Sequence, residues 1–147
     1  MNEAVPGAPG PAAALPEEWS VLGELGRGGM GVVYRARHRL TGQLAAVKAV
    51  VLERAGDPEY GRRFAQEVAV LTRLEHPRVV RLLQAGIHAG RPWLALELVE
   101  GPTLRERMAA GPISAGEAAR LGSQIAEALE YTHAAGVVHR DLKPENV

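Results

Sequence analysis

Cysteine is absent from the 147 residues, which excludes disulfides and thiolate metal sites and leaves the redox compartment open. An excess of one charge is absent too. Lys plus Arg number 17 and Asp plus Glu 17, a balance that advertises neither a nucleic acid nor a membrane surface as partner. No apolar run approaches the roughly 18 residues that a spanning helix needs. The start lacks the basic and apolar regions of a signal peptide. The chain has no internal repeat and no zinc-type constellation of ligands. These absences make a soluble, cytoplasmic chain the expectation, and its length can enclose the core of one domain.

What is present begins with a tail. Residues 1–17 are mostly Pro, Gly and Ala, and Pro6, Pro9, Pro11 and Pro16 oppose a helix. Too little apolar surface is on offer there to offset the entropy of ordering, so disorder is expected. From Trp19 the pattern changes. Val21 to Leu25, Val32 to Ala36 and Leu44 to Val50 are short β-type runs bounded by glycines and by Thr41-Gly42, which predicts an antiparallel meander. Arg35, Arg37 and Arg39 alternate along one of these runs and read as a solvated strand face. From Pro58 to Glu75 the spacing is helical, with Phe64, Val68 and Leu71 as the apolar stripe and His76-Pro77 as the expected stop. Two more strands are expected near residues 79–85 and 93–99, then a short helix from about Thr103. Ser114 and Glu117 fit a capping box that opens a long helix. Ala118, Leu121, Ile125, Ala128, Leu129 and Thr132 share one face of it, and Gly136 is its natural stop. The order is five strands with one inserted helix, then mainly helix.

Four features carry chemistry. Gly26-Arg27-Gly28-Gly29-Met30-Gly31-Val32-Val33 fits G-x-G-x-x-G-x-V, in which missing side chains let backbone N–H groups approach phosphate oxygens. Alone the motif is weak, and a bare glycine-rich hairpin would explain it equally well. A dinucleotide loop shares these glycines but must run into a helix, whereas Val-Val-Tyr after Gly31 continues as a strand. Lys48 closes the apolar run Leu44-Ala45-Ala46-Val47, where an ammonium is costly to bury unless paired, although an exposed strand face is the commoner home of lysine. Glu67 lies at the edge of the Phe64, Val68 and Leu71 stripe, where a surface carboxylate is the bland reading. Last, His139-Arg140-Asp141-Leu142-Lys143-Pro144-Glu145-Asn146 matches H-R-D-L-x-x-x-N and sets an acid, a lysine and an amide oxygen within six positions.

In this order and spacing the motifs resemble those of the protein kinases. Trp19 to Val147 looks like the first half of a kinase domain. It is most similar to the bacterial serine/threonine kinases of eukaryotic type, by Gly29-Met30-Gly31, His76-Pro77 and Leu142-Lys143-Pro144-Glu145-Asn146. The resemblance implies an α+β fold: a five-stranded antiparallel small lobe with one helix and hinge over residues 18–99, then the first helices of a mainly α large lobe over 100–147. It implies ATP and Mg²⁺ as cofactors and phosphoryl transfer to Ser or Thr hydroxyls of protein substrates. Leu25, Val33 and Ala46 would roof the adenine, Leu96 would be the gatekeeper, and the Glu97 carbonyl and Val99 amide would bond its edge. The loop Gly26, Arg27, Gly28, Gly29, Met30 and Gly31 would cover the phosphates. Lys48, fixed by Glu67, would hold them. Asp141 would orient the substrate hydroxyl and accept its proton, Lys143 would neutralise the transferring group, and Asn146 would bind one Mg²⁺. Arg140 suggests control by a phosphorylated activation loop. His76, His133 and His139 are expected to be structural.

The resemblance stops at Val147, before any D-F-G, activation segment or A-P-E. The chain by itself is therefore expected to be inactive, a fragment whose apolar helix face lacks its covering helices. A membrane anchor beyond Val147 and pairing of two chains through the small lobe both stay open. The alternative is a non-catalytic half-kinase that binds a partner through that face. A nucleotide-dependent oxidoreductase is disfavoured by the strand after Gly31.

Overall fold

The computed structural model describes residues 15–28, 31–50 and 58–147. The elements run β1 (Trp19–Gly28), β2 (Gly31–His38), β3 (Leu44–Val50), α1 (Pro58–Leu71), β4 (Leu82–His88), β5 (Arg91–Glu97), α2 (Leu104–Ala109) and α3 (Ala115–Ala134), with a 3₁₀ turn at Pro144–Asn146. The five strands form one antiparallel sheet in the order β1-β2-β3-β5-β4. This is the α+β arrangement that the sequence implied. The chain divides into two compact units, one running to Val68 and including Leu82–Leu98, the other made of Ala69–Arg81 and Val99–Val147. Residues 69–81, expected within the small lobe, thus group with the second unit.

In the first unit the strand pleat sorts side chains. Ala45, Val47 and Ala49 of β3 are buried, while Leu44, Ala46, Lys48 and Val50 are half-buried on the opposite face. Small residues of β3 sit across from large ones: Val47 is in register with Tyr34, and Ala49 with Trp93. Trp19 joins this core and meets His38 edge-on at 5.1 Å. Leu15 is only 2 % exposed, so the tail expected to be disordered through residue 17 ends in a core contact. A buried leucine is worth about 1.5–3 kcal/mol, enough to hold the short segment before β1. Gly31 has φ +135°, and a Cβ there would lie 2.1 Å from the Ala49 carbonyl oxygen, so no other residue fits. The Trp93 ring lies over Gly86, its Nε1 3.0 Å from where a Cβ would stand, so a larger residue there would have to push the ring aside.

Strand ends differ from expectation by a few residues. Val79 and Val80 belong to no strand, because the Val79 amide donates to the His76 carbonyl at 3.1 Å and closes a turn with Pro77 in its second position. β5 starts earlier than expected because His88 pairs with Arg91 across a two-residue turn.

Helix α1 shows its stripe: residues 61, 64, 68 and 71 are half-buried and the positions between them are mostly exposed. It ends at Leu71, four residues before the expected Glu75. The Arg73 and Leu74 amides make tighter turn bonds to Val70 and Leu71, and Leu74 is buried. In the second unit the Glu75 amide donates to the Tyr131 hydroxyl at 2.8 Å, and the His76 ring stacks on Tyr131 at 4.9 Å. Tertiary docking onto α3 thus overrides the local signal. Arg78 adds an ion pair to Glu127 at 2.8 Å.

Helix α3 has Ser114 as N-cap, accepting from the Glu117 amide, but the Glu117 carboxylate turns to Arg107 at 3.1 Å instead of closing the box. Its far end is a full Schellman motif. Gly136 at φ +80° donates to His133, and Val137 donates to Thr132. The complete capping box belongs to α2, between Thr103 and Glu106.

The β4–β5 turn carries Ala89 at φ 48° and Gly90 at φ 74°, a type I′ pattern in which alanine bears a left-handed penalty. Ala89→Asn should raise stability by roughly 0.5–1 kcal/mol, seen as a higher urea midpoint with an unchanged slope. An unchanged midpoint would show that the turn is not strained.

Candidate active site

The first unit gathers one group of the predicted residues. Register sets Val33 opposite Lys48, Lys48 opposite Leu94, and Ala46 opposite Leu96. Partners in an antiparallel ladder point to the same side, so Val33, Ala46, Lys48 and Leu96 share the sheet face opposite the aromatic core. This is the face on which the adenine and phosphate roles were expected. Leu25 is 52 % exposed near the end of β1, free to shield a ligand but holding no part of the core. Gly26 and Gly28 pair with Val33 and Gly31, so the glycine run is a hairpin connection continuing into β2. No helix starts there, which disposes of the dinucleotide reading. Arg27 forms a two-pronged pair with Glu24 at 2.8 and 3.1 Å, and this carboxylate hydrogen bond raises its pKa further. Gly29 and Met30 lie outside the described residues.

The expected pairing of Lys48 with Glu67 is not made. Glu67 is exposed on α1, Lys48 is half-buried on β3, and no ion pair among the described residues joins them. Glu97 ends β5 in the first unit, and Val99, which opens the second stretch of the second unit, is 67 % exposed.

The second unit gathers the rest, and more tightly. Lys143 Nζ lies 2.9 Å from Asp141 Oδ2. Asn146 Nδ2 donates to the Asp141 carbonyl at 2.8 Å and reaches Oδ2 at 3.3 Å. Its backbone amide donates to the Lys143 carbonyl at 2.8 Å. Within six positions, Lys143 and Asn146 both fold back onto the Asp141 carboxylate. Arg140 makes this possible: it stands at φ 61°, and the Asp141 amide doubles back to the His139 carbonyl at 2.8 Å. Such an i to i+2 turn around a left-handed residue is rare and strained, and strain of this kind concentrates at functional sites. His139 is exposed here, but its Nδ1 also accepts from the Asp141 amide at 3.3 Å, so it hydrogen-bonds as expected.

The Lys143 hydrogen bond holds the Asp141 carboxyl below the usual aspartate range, aided by its charge and by Asn146. Asp141 is thus ionised at neutral pH and able only to accept hydrogen bonds. With Nδ2 of Asn146 committed to Asp141, its Oδ1 is the atom left to face a cation, and a hard oxygen suits Mg²⁺. Among the described residues no group of three His, Asp or Glu side chains could hold a metal. The oxygens here fit one side of a magnesium shell, not all of it.

Sequence reasoning missed three features. Arg105 of α2 bonds Glu145 at 2.9 Å, and no motif names that pair. The Tyr131 anchor for residues 75 and 76 links positions 56 apart. The Thr103 box was legible as T-x-x-E and could have been read.

Because Asp141 is depressed by its neighbours, the stabilisation it gains is present above the ordinary aspartate value and lost as pH falls through the lowered one. An NMR titration of its side-chain carbon should show the low midpoint, and Lys143→Met should move that midpoint back toward ordinary aspartate. A midpoint indifferent to Lys143→Met would mean that the lysine does not set it.

Comparison with known proteins agrees with this geometry. The model of the protein kinase domain matches residues 19–147. The serine/threonine-protein kinase PknJ of Mycobacterium tuberculosis is 37% identical over 122 residues, which are 83% of this chain and 21% of PknJ. PkaA of Streptomyces coelicolor is 42% identical over 135 residues, 84% of this chain and 25% of PkaA. The crystal structure of the M. tuberculosis PknI kinase domain superposes with a TM-score of 0.78 at 32% identity, over 92% of this chain and 56% of that one. The chain therefore spans about a quarter or less of these curated relatives and just over half of the solved domain. On fold, motif order and match alike, the chain belongs to the protein kinase family, as the N-terminal part of its catalytic domain.

Proposed function

We propose that this chain is the nucleotide-binding and catalytic-loop half of a protein kinase that transfers the γ-phosphoryl group of ATP to serine or threonine hydroxyls of proteins. The observation that carries the reading is the closed cluster of Asp141, Lys143 and Asn146 around a strained Arg140. A loop of exposed polar residues has no packing reason to adopt that strain. Phosphoryl transfer asks of a protein mainly positioning and charge, and the cluster offers both.

In this reading Val33, Ala46 and Leu96 form the apolar sheet face that receives the adenine, with Leu25 at its margin. Glu97 and Val99 offer backbone groups to its edge, and Gly26 to Gly31 cover the phosphates. Lys48 holds two phosphates once Glu67 swings to it. Asp141 orients the acceptor hydroxyl and takes its proton as the new O–P bond forms and the bond from the γ-phosphorus to the bridging oxygen breaks, releasing ADP. Lys143 then shifts part of its charge from Asp141 to the transferring group. Asn146 Oδ1 contributes one ligand to Mg²⁺, which when bound neutralises phosphate charge. Protein substrates, a cytoplasmic location of this domain and pairing through the small lobe belong to the same proposal. No helix among the described residues is long and apolar enough to cross a membrane.

One observation favours a second reading. In the second unit a groove of about 370 Å³ is lined by Leu121, Ile125, Ala128 and Leu129 of α3 together with Val79 and Leu142. Its apolar walls suit a partner-binding module without catalysis.

The test is phosphoryl transfer by the natural gene product purified from its own cells, alongside its intact mass. Asp141→Asn should lower transfer by about 10²–10⁴-fold. The 147-residue chain alone should show none. Full activity of Asp141→Asn would overturn the catalytic reading. A natural mass equal to this chain, with no transfer, would favour the partner-binding one.

A further inference from the structure

Asn146 is flanked on both sides by contacts to consecutive residues of α2. The Leu104 amide donates to the Val147 carbonyl at 2.7 Å, and Arg105 Nε donates to Glu145 Oε1 at 2.9 Å. Neither contact is local, since 43 and 40 positions separate the partners. Both start from the first two residues of a helix whose N-terminus is fixed by the reciprocal Thr103–Glu106 box. The box uses the Glu106 amide and leaves that of Leu104, an orphan donor of the first turn, to reach outward. Arg105 also helps hold the Glu145 carboxyl below its usual range, second to the backbone bond that Glu145 accepts within its own turn.

We infer that the first turn of α2 is a clamp on the 3₁₀ turn Pro144–Asn146, and that Arg105 is a positioning residue acting through Glu145 on the metal-facing oxygen of Asn146. The inference rests on the proposed kinase reading, which supplies the cation. Its physical logic is short. Asn146 reaches Asp141 through one side-chain nitrogen, so a rotation of the 3₁₀ turn would change the direction in which Oδ1 faces. Backbone bonds within the turn fix its shape but not its orientation. Orientation requires contacts from another element, and α2 provides one on each side of Asn146. The residues proposed to receive the adenine take no part in the pair, so its effect should fall on the cation and not on the nucleotide base.

The side chains of Arg105 and Glu145 are 64% and 42% exposed, so the pair is weakly held and the effect should be modest. The experiment uses the natural full-length kinase with Mn²⁺ as the probe, its free signal followed by electron paramagnetic resonance in the presence of ATP. Arg105→Gln and Glu145→Gln should each weaken Mn²⁺ retention about two- to fivefold, as expected for loss of one exposed ion pair. The double variant should be no worse than either single one. The Mg²⁺ concentration that gives half-maximal transfer should rise by the same factor, with peptide KM unchanged. The swap Arg105→Glu with Glu145→Arg should recover most of the loss. A merely structural pair would lower the thermal midpoint without moving metal retention. Unchanged retention in Arg105→Gln, or losses that multiply in the double variant, would overturn the clamp. Failure of the kinase reading is distinguishable, because Asp141→Asn would then leave transfer intact.

Discussion

Everything in the first unit depends on the pleat of β3. The strand is central, with β2 on one side and β5 on the other, and it has no room for large residues on its core face. Ala45 and Val47 are 0% exposed there, and the bulk of the core comes from Tyr34, Trp19 and Trp93 around them. The period of two then dictates that Ala46 and Lys48 stand on the other face. A one-residue slip would put the ammonium in the core and the alanines outside, at a desolvation cost that no partner there could offset. The position of the lysine is thus a by-product of how the core is filled. A second, accessible face comes at no added cost in stability, because the same alternation that buries one row presents the other.

The second unit uses a different device. Its chemistry sits on a loop, and loops lack a ladder to hold them. Order comes instead from polar bonds of short reach: Asp141 to His139, Asn146 to Asp141 and Asn146 to Lys143. These bonds require Arg140 in a left-handed conformation, which costs on the order of 1–2 kcal/mol. Glycine would remove that cost, and the presence of arginine means that its side chain matters more than the backbone. The guanidinium is exposed and, among the described residues, no ion pair engages it.

Much of this was legible beforehand, and the exceptions share one cause. Strand identity, the half-buried stripe of α1 and the Gly136 stop follow from local periodicity and backbone preference, and the sequence displays those directly. The end of α1, the false strand start at Val79 and the second half of the Ser114 box were misread because distant residues decide them. Leu74 is drawn under cover, Glu75 and His76 dock on Tyr131, and Glu117 prefers Arg107. Each is a contact across tens of positions or between neighbouring helices, for which a single sequence carries no signal. Leu15 belongs with them: composition marks it as tail, and only the core shows that one leucine suffices to order the segment. The site divides in the same way. Motifs drew attention to Lys48, Asp141, Lys143 and Asn146, whereas contacts such as Arg105 with Glu145 depend on the fold.

Lys48 and Glu67 show why a motif pair need not be a bond. An exposed glutamate and a half-buried lysine are each adequately hydrated, and closing the pair would order two flexible side chains for a gain of about 0–1 kcal/mol. The balance would change if an anion crowded the lysine. Negative charge then favours the ammonium, water is displaced, and a second carboxylate can fix its direction in a medium of lower dielectric. On this argument an exposed carboxylate and a half-buried ammonium stay apart unless something desolvates the lysine. The cluster of Asp141, Lys143 and Asn146, by contrast, is closed by bonds already present.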